Sequence, residues 1–430
     1  MRIEIPYGET NLHADAPWLR NAGTLDVADV PALPDLADAI ARAIAAPTGF
    51  DCHLYELFRP GETVAIVVSD SFRKTAVDQV LPILLAGLIQ RGISESDICF
   101  LFASGTHRPP TPDEQSEILG PEVYQRFRAR AFTHDPNDRA NLVSVGTTRR
   151  GTRVEINRTA WECDRIIATG AVVMHYFGGF GGGRKSIVPG LASTETIAHN
   201  HAMNLDPVEN RLNPSVRIAT LDGNPVAEDM LEASRLVGVD CIINTVLNRE
   251  GRIASVFAGE LGAAHREAAK FARSIYSVEI GAQADVVIAA SPHTRNFVQT
   301  HKALYNAYQA MNPGGCIILA APCPEGLGGD AFVKWLNLGS RNAVFAGLRE
   351  RSEINGQTAL STLEKAPHTI MLTELSQSEV ELLGAAKGRD LEYALQQARL
   401  RLESVANPTA YVMPSAAYTV PFLPCNPAAP

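Results

Sequence analysis

The strongest constraint on this chain is a series of short runs that are apolar from end to end, separated by stretches with helical spacing. TVAIVVS at 63–69 is followed by helical spacing over 75–91, interrupted by a proline, and then by ICFLFAS at 98–104. A strand that alternates apolar and polar residues faces water on one side, whereas a uniformly apolar strand needs cover on both faces. Two such strands joined by a helix form a βαβ unit, whose sheet is parallel. The pattern continues with NLVSVG at 141–146, RIIATG at 165–170, a helical stretch near 225–236 and CIINTVLN at 241–248. After the polar, helical HREAAKFARSIYS and the segment GAQAD, it restarts with DVVIAAS at 285–291. A helix near 296–311, GGCIILAAP at 314–322, a helix over 328–350, HTIMLTEL at 368–375, a helix over 390–403 and TAYVMP at 409–414 complete it. The expectation is two α/β domains with mostly parallel sheets, 1–275 and 276–430.

Length agrees, since 430 residues exceed one ordinary domain. Lys plus Arg number 38 against 47 Asp plus Glu, a formal charge of −9. That leaves no basic surplus for nucleic acid or a polybasic membrane contact, and favours a small-molecule protein. Hydrophobic residues at 46% and charged ones at 20% exclude extended disorder, collagen-like sequence and coiled coil. The start, MRIEIPYGET, has no basic region leading into an apolar one, and no apolar run approaches the roughly 18 residues of a spanning helix. A cytoplasmic protein without membrane contact is expected. The seven scattered cysteines form no CxxC pair and read as reduced core residues, and PFLPCNPAAP reads as an irregular tail.

Open parallel sheets bind ligands beyond the carboxyl ends of their strands, so the polar residues found there are informative. Asp70 and Arg73 follow the first strand, Ser104 to Arg108 with His107 follow the second, and His175 with a glycine-rich run follows RIIATG. Any one of them alone reads equally well as structural; three together point to a site. The richest segment, GAVVMHYFGGFGGGRKSIVPG at 170–190, has five glycines within 178–183. Such a run lets peptide N–H groups approach a phosphate, and Arg184 and Lys185 add positive charge. A Walker A loop is excluded because Arg184 intervenes between Gly183 and Lys185. A dinucleotide fingerprint from Gly179 needs Gly or Ala at 184. His199 and His201 would point about 200° apart on a helix, so at most one serves a metal. Gln299 and Lys302, at i and i+3, share a helix face from which Lys302 offers a charge to a carboxylate.

Taken together, these residues resemble the nickel-pincer lactate racemase family of 2-hydroxyacid racemases and epimerases. The likeness covers most of the chain: the D-x-x-R of Asp70 and Arg73, SGTHRPPT at 104–111, HYFGGFGGGRKSIVPG at 175–190, TETIAHNH ending at His201, and QTHKAL at 299–304. The spacings are ten residues from His175 to Lys185 and sixteen from Lys185 to His201. The resemblance implies an N-terminal cofactor-binding domain, a C-terminal domain and an active site in the interdomain cleft. It implies nickel held by pyridinium-3,5-bisthiocarboxylic acid mononucleotide, the nickel-pincer nucleotide, joined to Lys185 as a thioamide, with His201 as the protein's metal ligand. His107 and His175 match the acid/base pair; Arg73 and Lys302 match catalytic and substrate-side residues, Gln299 a substrate-binding one, and Asp70 with Arg73 match cofactor-side residues.

The reaction so implied is reversible hydride transfer through a 2-keto acid, with carboxylase, sulfur-transferase and nickel-insertion proteins as maturation partners. Histidine suits both bases because it titrates near neutrality. Met174 stands where the family pattern has proline, so the resemblance specifies the substrate only as a 2-hydroxy carboxylic acid. Three other readings make different predictions. A nicotinamide-dependent 2-hydroxyacid dehydrogenase would show net redox turnover with added NAD. A Schiff-base enzyme would be trapped on Lys185 by borohydride. A non-catalytic carrier of the pincer cofactor would bind it without turnover.

Overall fold

The uniformly apolar runs become buried parallel strands. A computed structural model describes residues 1–423; residues 424–430, which include Cys425 and most of the PFLPCNPAAP segment, lie outside the described residues. The chain divides into two units, Asp29–Ile275 and Met1–Ala28 with Tyr276–Pro430.

In the first unit a six-stranded sheet runs in the order Ile253–Gly259, Cys241–Leu247, Arg165–Ala171, Val64–Ser69, Ile98–Ala103, Ala131–Thr133. All its pairs are parallel except the edge strand Ile253–Gly259, which is antiparallel to its neighbour. Val64 to Val68 are five consecutive fully buried residues, and full burial is worth roughly 1.5–3 kcal/mol for each of the valine and isoleucine side chains among them. Helices Leu36–Ala45 and Leu81–Gln90 supply Ile40, Ile44, Leu81, Leu84 and Leu88 to the same core. The proline inside 75–91 marks a start: a short 3-10 turn precedes the helix, and Pro82 sits in its first turn, where no intrahelical N–H is needed.

Val64–Ser69 connects onward to Ile98–Ala103 on one side, whereas Arg165–Ala171 connects onward to Cys241–Leu247 on the other. These two adjacent strands therefore mark the switch point, where an open sheet leaves a crevice at its carboxyl edge. Asp70 and Arg73 follow one of them, and the glycine-rich segment follows the other.

The second unit also holds a six-stranded sheet, here parallel throughout, ordered Ala386–Gly388, Thr369–Leu372, Met311–Ala320, Ala284–Ala290, Thr409–Met413, Arg20–Thr24. Residues 1–28, grouped with the first block on sequence grounds, join this unit. Arg20–Thr24 adds in parallel to Thr409–Met413, and the hairpin of Arg2–Tyr7 and Thr10–Asp15 buries Ile3 and Ile5 against the sheet beside Leu391, Ala394 and Leu395.

Two sequence expectations change in form. NLVSVG is not a strand of the parallel sheet: Leu142–Thr147 pairs antiparallel with Arg153–Asn157 in a two-stranded ribbon, and its burial is intermittent. The helix expected over 328–350 is two helices, Asp330–Leu336 and Arg341–Glu350, broken where Gly339 takes a φ of +74° and Ser340 caps the second. The six described cysteines are free thiols, four of them buried. No helix among the described residues is long and apolar enough to cross a membrane.

Candidate active site

Two clusters form at the carboxyl edge of the first unit's sheet. The first is built on Asp70, which is 3% exposed. Its Oδ1 accepts the Phe72 N–H at 3.1 Å, and its Oδ2 lies 2.6 Å from Nδ1 of His107. Burial pushes the carboxyl up, but the His107 hydrogen bond and the Arg73 charge outweigh it and hold its pKa below the usual value. A carboxylate can only accept, so His107 donates Nδ1–H. The ring is further fixed by an edge-to-face contact with Phe72 at 5.1 Å.

The turn that carries His107 is itself anchored. His107 N–H donates to the Ser104 carbonyl, and Gly105 N–H to the carbonyl of Gly190, just beyond the glycine-rich run. Gly105 has a φ of +52°, and a Cβ there would stand 3.2 Å from the Pro189 oxygen, so this close approach requires glycine. Arg108 points outward, paired with Glu114, whose carboxyl it lowers to about 2.

The second cluster gathers around the ring of Phe177, a residue on which the motif reading placed no weight. His175 meets it edge-on at 4.4 Å and His201 at 4.7 Å, and Nζ of Lys185 lies 5.0 Å from its centroid. The local fold is a minimal hairpin pairing Met174–His175 with Gly179–Phe180, followed by a 3-10 turn, Gly183–Ser186, that carries Lys185. Nδ1 of His175 accepts the peptide N–H groups of Phe177 and Gly178 at 3.4 and 3.2 Å. The glycine run folds back on the sheet: Gly183 N–H donates to Oδ1 of Asn244, and Ser186 Oγ to the Thr169 carbonyl.

Arg184 departs from the sequence expectation of a phosphate-facing charge. It is fully buried, donating from Nη2 to the Gly178 carbonyl and from Nη1 to Nδ1 of His265, which donates from Nε2 to the Gly181 carbonyl. Burial and then the Arg266 charge lower the guanidinium to about 10, so it is a cation at neutral pH. Burial and then the Arg184 charge hold His265 neutral, near 3. Together they clamp the glycine run from behind. His265 was not singled out in the sequence because it lies eighty residues away in a helix.

His199 and His201 occupy one helix, Thr194–Ala202, on opposite sides. His199 is exposed and donates from Nδ1 to Oγ1 of Thr152, which itself donates to buried Asp229. His201 is 1% exposed; burial and then the Lys185 charge hold it neutral, near 3. Its Nδ1 donates to the Ile197 carbonyl at 2.9 Å, so Nε2 carries the lone pair that a metal would take. Asp229 also accepts from Thr148 and Asn200, securing the helix beside His201.

A nucleotide-tethered nickel group fits this donor set on three observations. The imidazole of His201 is neutral, as ligation requires. The buried Nδ2 of Asn244 has no hydrogen-bond partner among the described residues. At Gly178 an added Cβ would stand between Lys185 Nζ, at 3.5 Å, and His175 Nδ1, at 3.6 Å, so glycine keeps that space open. Among the described residues no three His, Cys, Asp or Glu side chains converge as a self-sufficient metal site.

In the second unit, Gln299 and Lys302 lie on the helix Phe297–Gln309, whose N-terminus is capped by Asn296. Nζ of Lys302 donates to Oε1 of Gln299 at 3.0 Å, so the two share a face as their spacing requires.

Models of the lactate racemase N-terminal and C-terminal domains match residues 7–212 and 280–415. The chain belongs to the lactate racemase family. It is 32% identical over 338 residues to the lactate racemase of Thermoanaerobacterium thermosaccharolyticum, covering 77% of each chain. It is 31% identical over 336 residues to that of Lactiplantibacillus plantarum, again covering 77% of each. The solved lactate racemase apoprotein from T. thermosaccharolyticum superposes with a TM-score of 0.87 at 28% identity, covering 98% of this chain and all of that one. A Thermotoga maritima protein shares the fold at a TM-score of 0.66 and 19% identity, covering 91% of this chain and 99% of that one. As a family member, the chain is an isomerase, a racemase, and the resemblance drawn from its motifs is borne out.

Proposed function

We propose that this racemase inverts C2 of a 2-hydroxy carboxylic acid, using a nickel-pincer mononucleotide tethered to Lys185. The observation that carries the reading is the gathering of His175, Lys185 and buried His201 around Phe177, with His201 neutral and its proton committed to the Ile197 carbonyl. Lys185 would hold the cofactor covalently and His201 would give nickel one nitrogen, a donor that suits divalent nickel beside sulfur. When bound, the group supplies a reversible acceptor for the C2 hydride.

The side chains of this protein do the remaining work. His107 and His175 attend the substrate oxygen, taking the hydroxyl proton as the carbonyl forms and supplying one as the alcohol is restored. Arg73 balances the carboxylate and polarises the oxygen, and Gln299 and Lys302 contribute a hydrogen-bonding face and a second positive charge. The glycine run, clamped by Arg184 and His265, keeps peptide backbone rather than side chains next to the nucleotide phosphate. Lactate is the substrate named for the relatives, and this chain acts on the same chemical class, a small 2-hydroxyacid.

The test is to produce the chain with cofactor-building carboxylase, sulfur-transfer and nickel-insertion proteins. Intact mass, nickel content and interconversion of lactate enantiomers in deuterated water are then measured. A mass increment with stoichiometric nickel, and a C2 hydrogen conserved in the product, are expected. Rapid deuterium entry at C2 would mean direct carbon deprotonation and would overturn the hydride reading.

A further inference from the structure

The Phe177 cluster is held by a residue that the motifs do not mark. Asn224 is fully buried and caps the helix Pro225–Val237, its Oδ1 accepting the N–H groups of Val226 and Ala227 at 3.1 and 3.2 Å. Pro225, first in the helix, restricts Asn224 to extended backbone, with φ −89° and ψ +106°, and so sets its side chain over the helix end. Capping needs only an acceptor, and Asp or Ser would serve as well. Asn adds an NH₂ group, and here both of its protons find carbonyls. Nδ2 donates to Thr220 at 3.1 Å and, across forty-seven residues of chain, to Phe177 at 2.9 Å.

The Phe177 carbonyl and the Gly178 N–H are the two ends of one planar peptide and point in opposite directions. Holding the oxygen therefore holds the N–H, which is directed at Nδ1 of His175 at 3.2 Å. The bond to the oxygen also polarises the peptide and strengthens its N–H as a donor. Resting on the racemase reading, in which His175 is one member of the acid/base pair, we infer that Asn224 is a positioning residue that sets the His175 ring through the Phe177–Gly178 peptide. His175 lies in a strand of two residues, so a bond from outside the hairpin adds to its hold. Proton transfer needs the ring within hydrogen-bond reach of the substrate oxygen, and a ring free to swing spends turnovers out of reach. The same helix serves His201 by a separate route: Asn200 donates from Nδ2 to the Val226 carbonyl and to Asp229. The two duties can therefore be told apart.

Asn224→Ser and Asn224→Asp each keep an acceptor for the cap and remove the NH₂ group. Nitrogen-15 NMR of the full chain, labelled at histidine and glycine and purified without the maturation proteins, reads the consequence. Both variants should move the His175 Nδ1 and Gly178 amide signals and leave those of His107 and His201 in place. A role confined to folding would loosen the whole helix and disturb His201 as well, through Asn200. In the cofactor-loaded enzyme, Asn224→Ser should lower kcat on the order of 10²-fold, the scale on which a misplacement of about 1 Å acts, with KM, nickel content and the mass increment unchanged. Unmoved His175 and Gly178 signals, or nickel lost together with kcat, would overturn the inference. The native chain supplies a check should neither variant fold: the Gly178 amide and the Asn224 NH₂ should exchange slowly with deuterated water, and rapid exchange of either would overturn it too. Signals displaced as expected in a chain that never interconverts enantiomers would uphold the hold on His175 and sink the racemase reading. Unmoved signals in an active racemase would do the reverse.

Discussion

The two six-stranded sheets are built alike and finished differently. In the unit 29–275 the loops at the carboxyl edge are bound to one another: Asp70 to His107, Gly105 to Gly190, Asn244 to Gly183, Arg184 to Gly178 and His265. In the other unit the helix after Ala284–Ala290 presents Gln299 and Lys302, both half-buried, with Nζ of Lys302 donating to Oε1 of Gln299. A crowded, cross-linked edge suits chemistry that needs fixed tautomers and a covalent tether. A lysine ammonium beside an amide suits recognition of charge. If that contrast is functional, substitutions in the first region should abolish steps outright and those in the second should weaken binding.

The largest effect expected is at Lys185. Lys185→Ala should remove both the mass increment and the activity, and an active, unmodified Lys185→Ala protein would break the comparison at its centre. Next comes the metal. His201→Ala should lose nickel on dialysis, whereas His199→Ala should retain it, because His199 is engaged with Thr152 on the outer side of the helix. Nickel lost only from the His199 variant would reverse the assignment.

The sequence makes part of this edge legible and hides the rest, for physical reasons. Strands buried on both faces are apolar without interruption, so their positions are plain, and the residues just beyond them follow. The opposed placement of His199 and His201 follows from helical spacing alone. Pairing across long separations leaves no local trace: nothing in RNAGT at 20–24 says that it will join a strand near 410. NLVSVG has the apolar content of a parallel strand, but its exposed positions decide for the ribbon. The direction of a side chain is equally hidden. Arg184 beside Lys185 reads as a second phosphate-facing charge, and only the fold turns it inward to His265. Phe177 passes for an ordinary aromatic until His175, Lys185 and His201 are found around it.

Lys302 should give a smaller effect than either residue of the first region. Lys302→Ala should lower kcat/KM for lactate by roughly 10- to 100-fold, the value of one charge-assisted hydrogen bond. The loss should fall mainly on KM, as expected when an interaction holds substrate and transition state alike. Lys302→Arg restores the charge but not the compact ammonium beside Gln299, and should recover only part of the loss. A Lys302 variant with unchanged KM and a collapsed kcat would move this lysine into the same class as His107.

The smallest expected effect separates the two duties of the glycine run. At Gly182 φ is +72°, and a Cβ would lie 2.7 Å from Val172 and 2.9 Å from Asn244 Oδ1, closer than real Cβ contacts allow. Gly182→Ala should therefore destabilise the chain by about 1–3 kcal/mol, the cost of a strained left-handed residue, seen as a lower denaturation midpoint with or without cofactor. At Gly178 a Cβ meets only ordinary contacts, yet those contacts are Lys185 Nζ and His175 Nδ1. Gly178→Ala should leave the denaturation midpoint of the cofactor-free chain unchanged within about 0.5 kcal/mol, the usual span for a change without strain. Its cost should appear as a several-fold drop in the fraction of chains carrying the mass increment, because the methyl group stands where the tether must form. Were Gly178→Ala to load fully while Gly182→Ala unfolded, the run would be a folding device only, and the edge of this sheet would differ from the other in rigidity and not in chemistry.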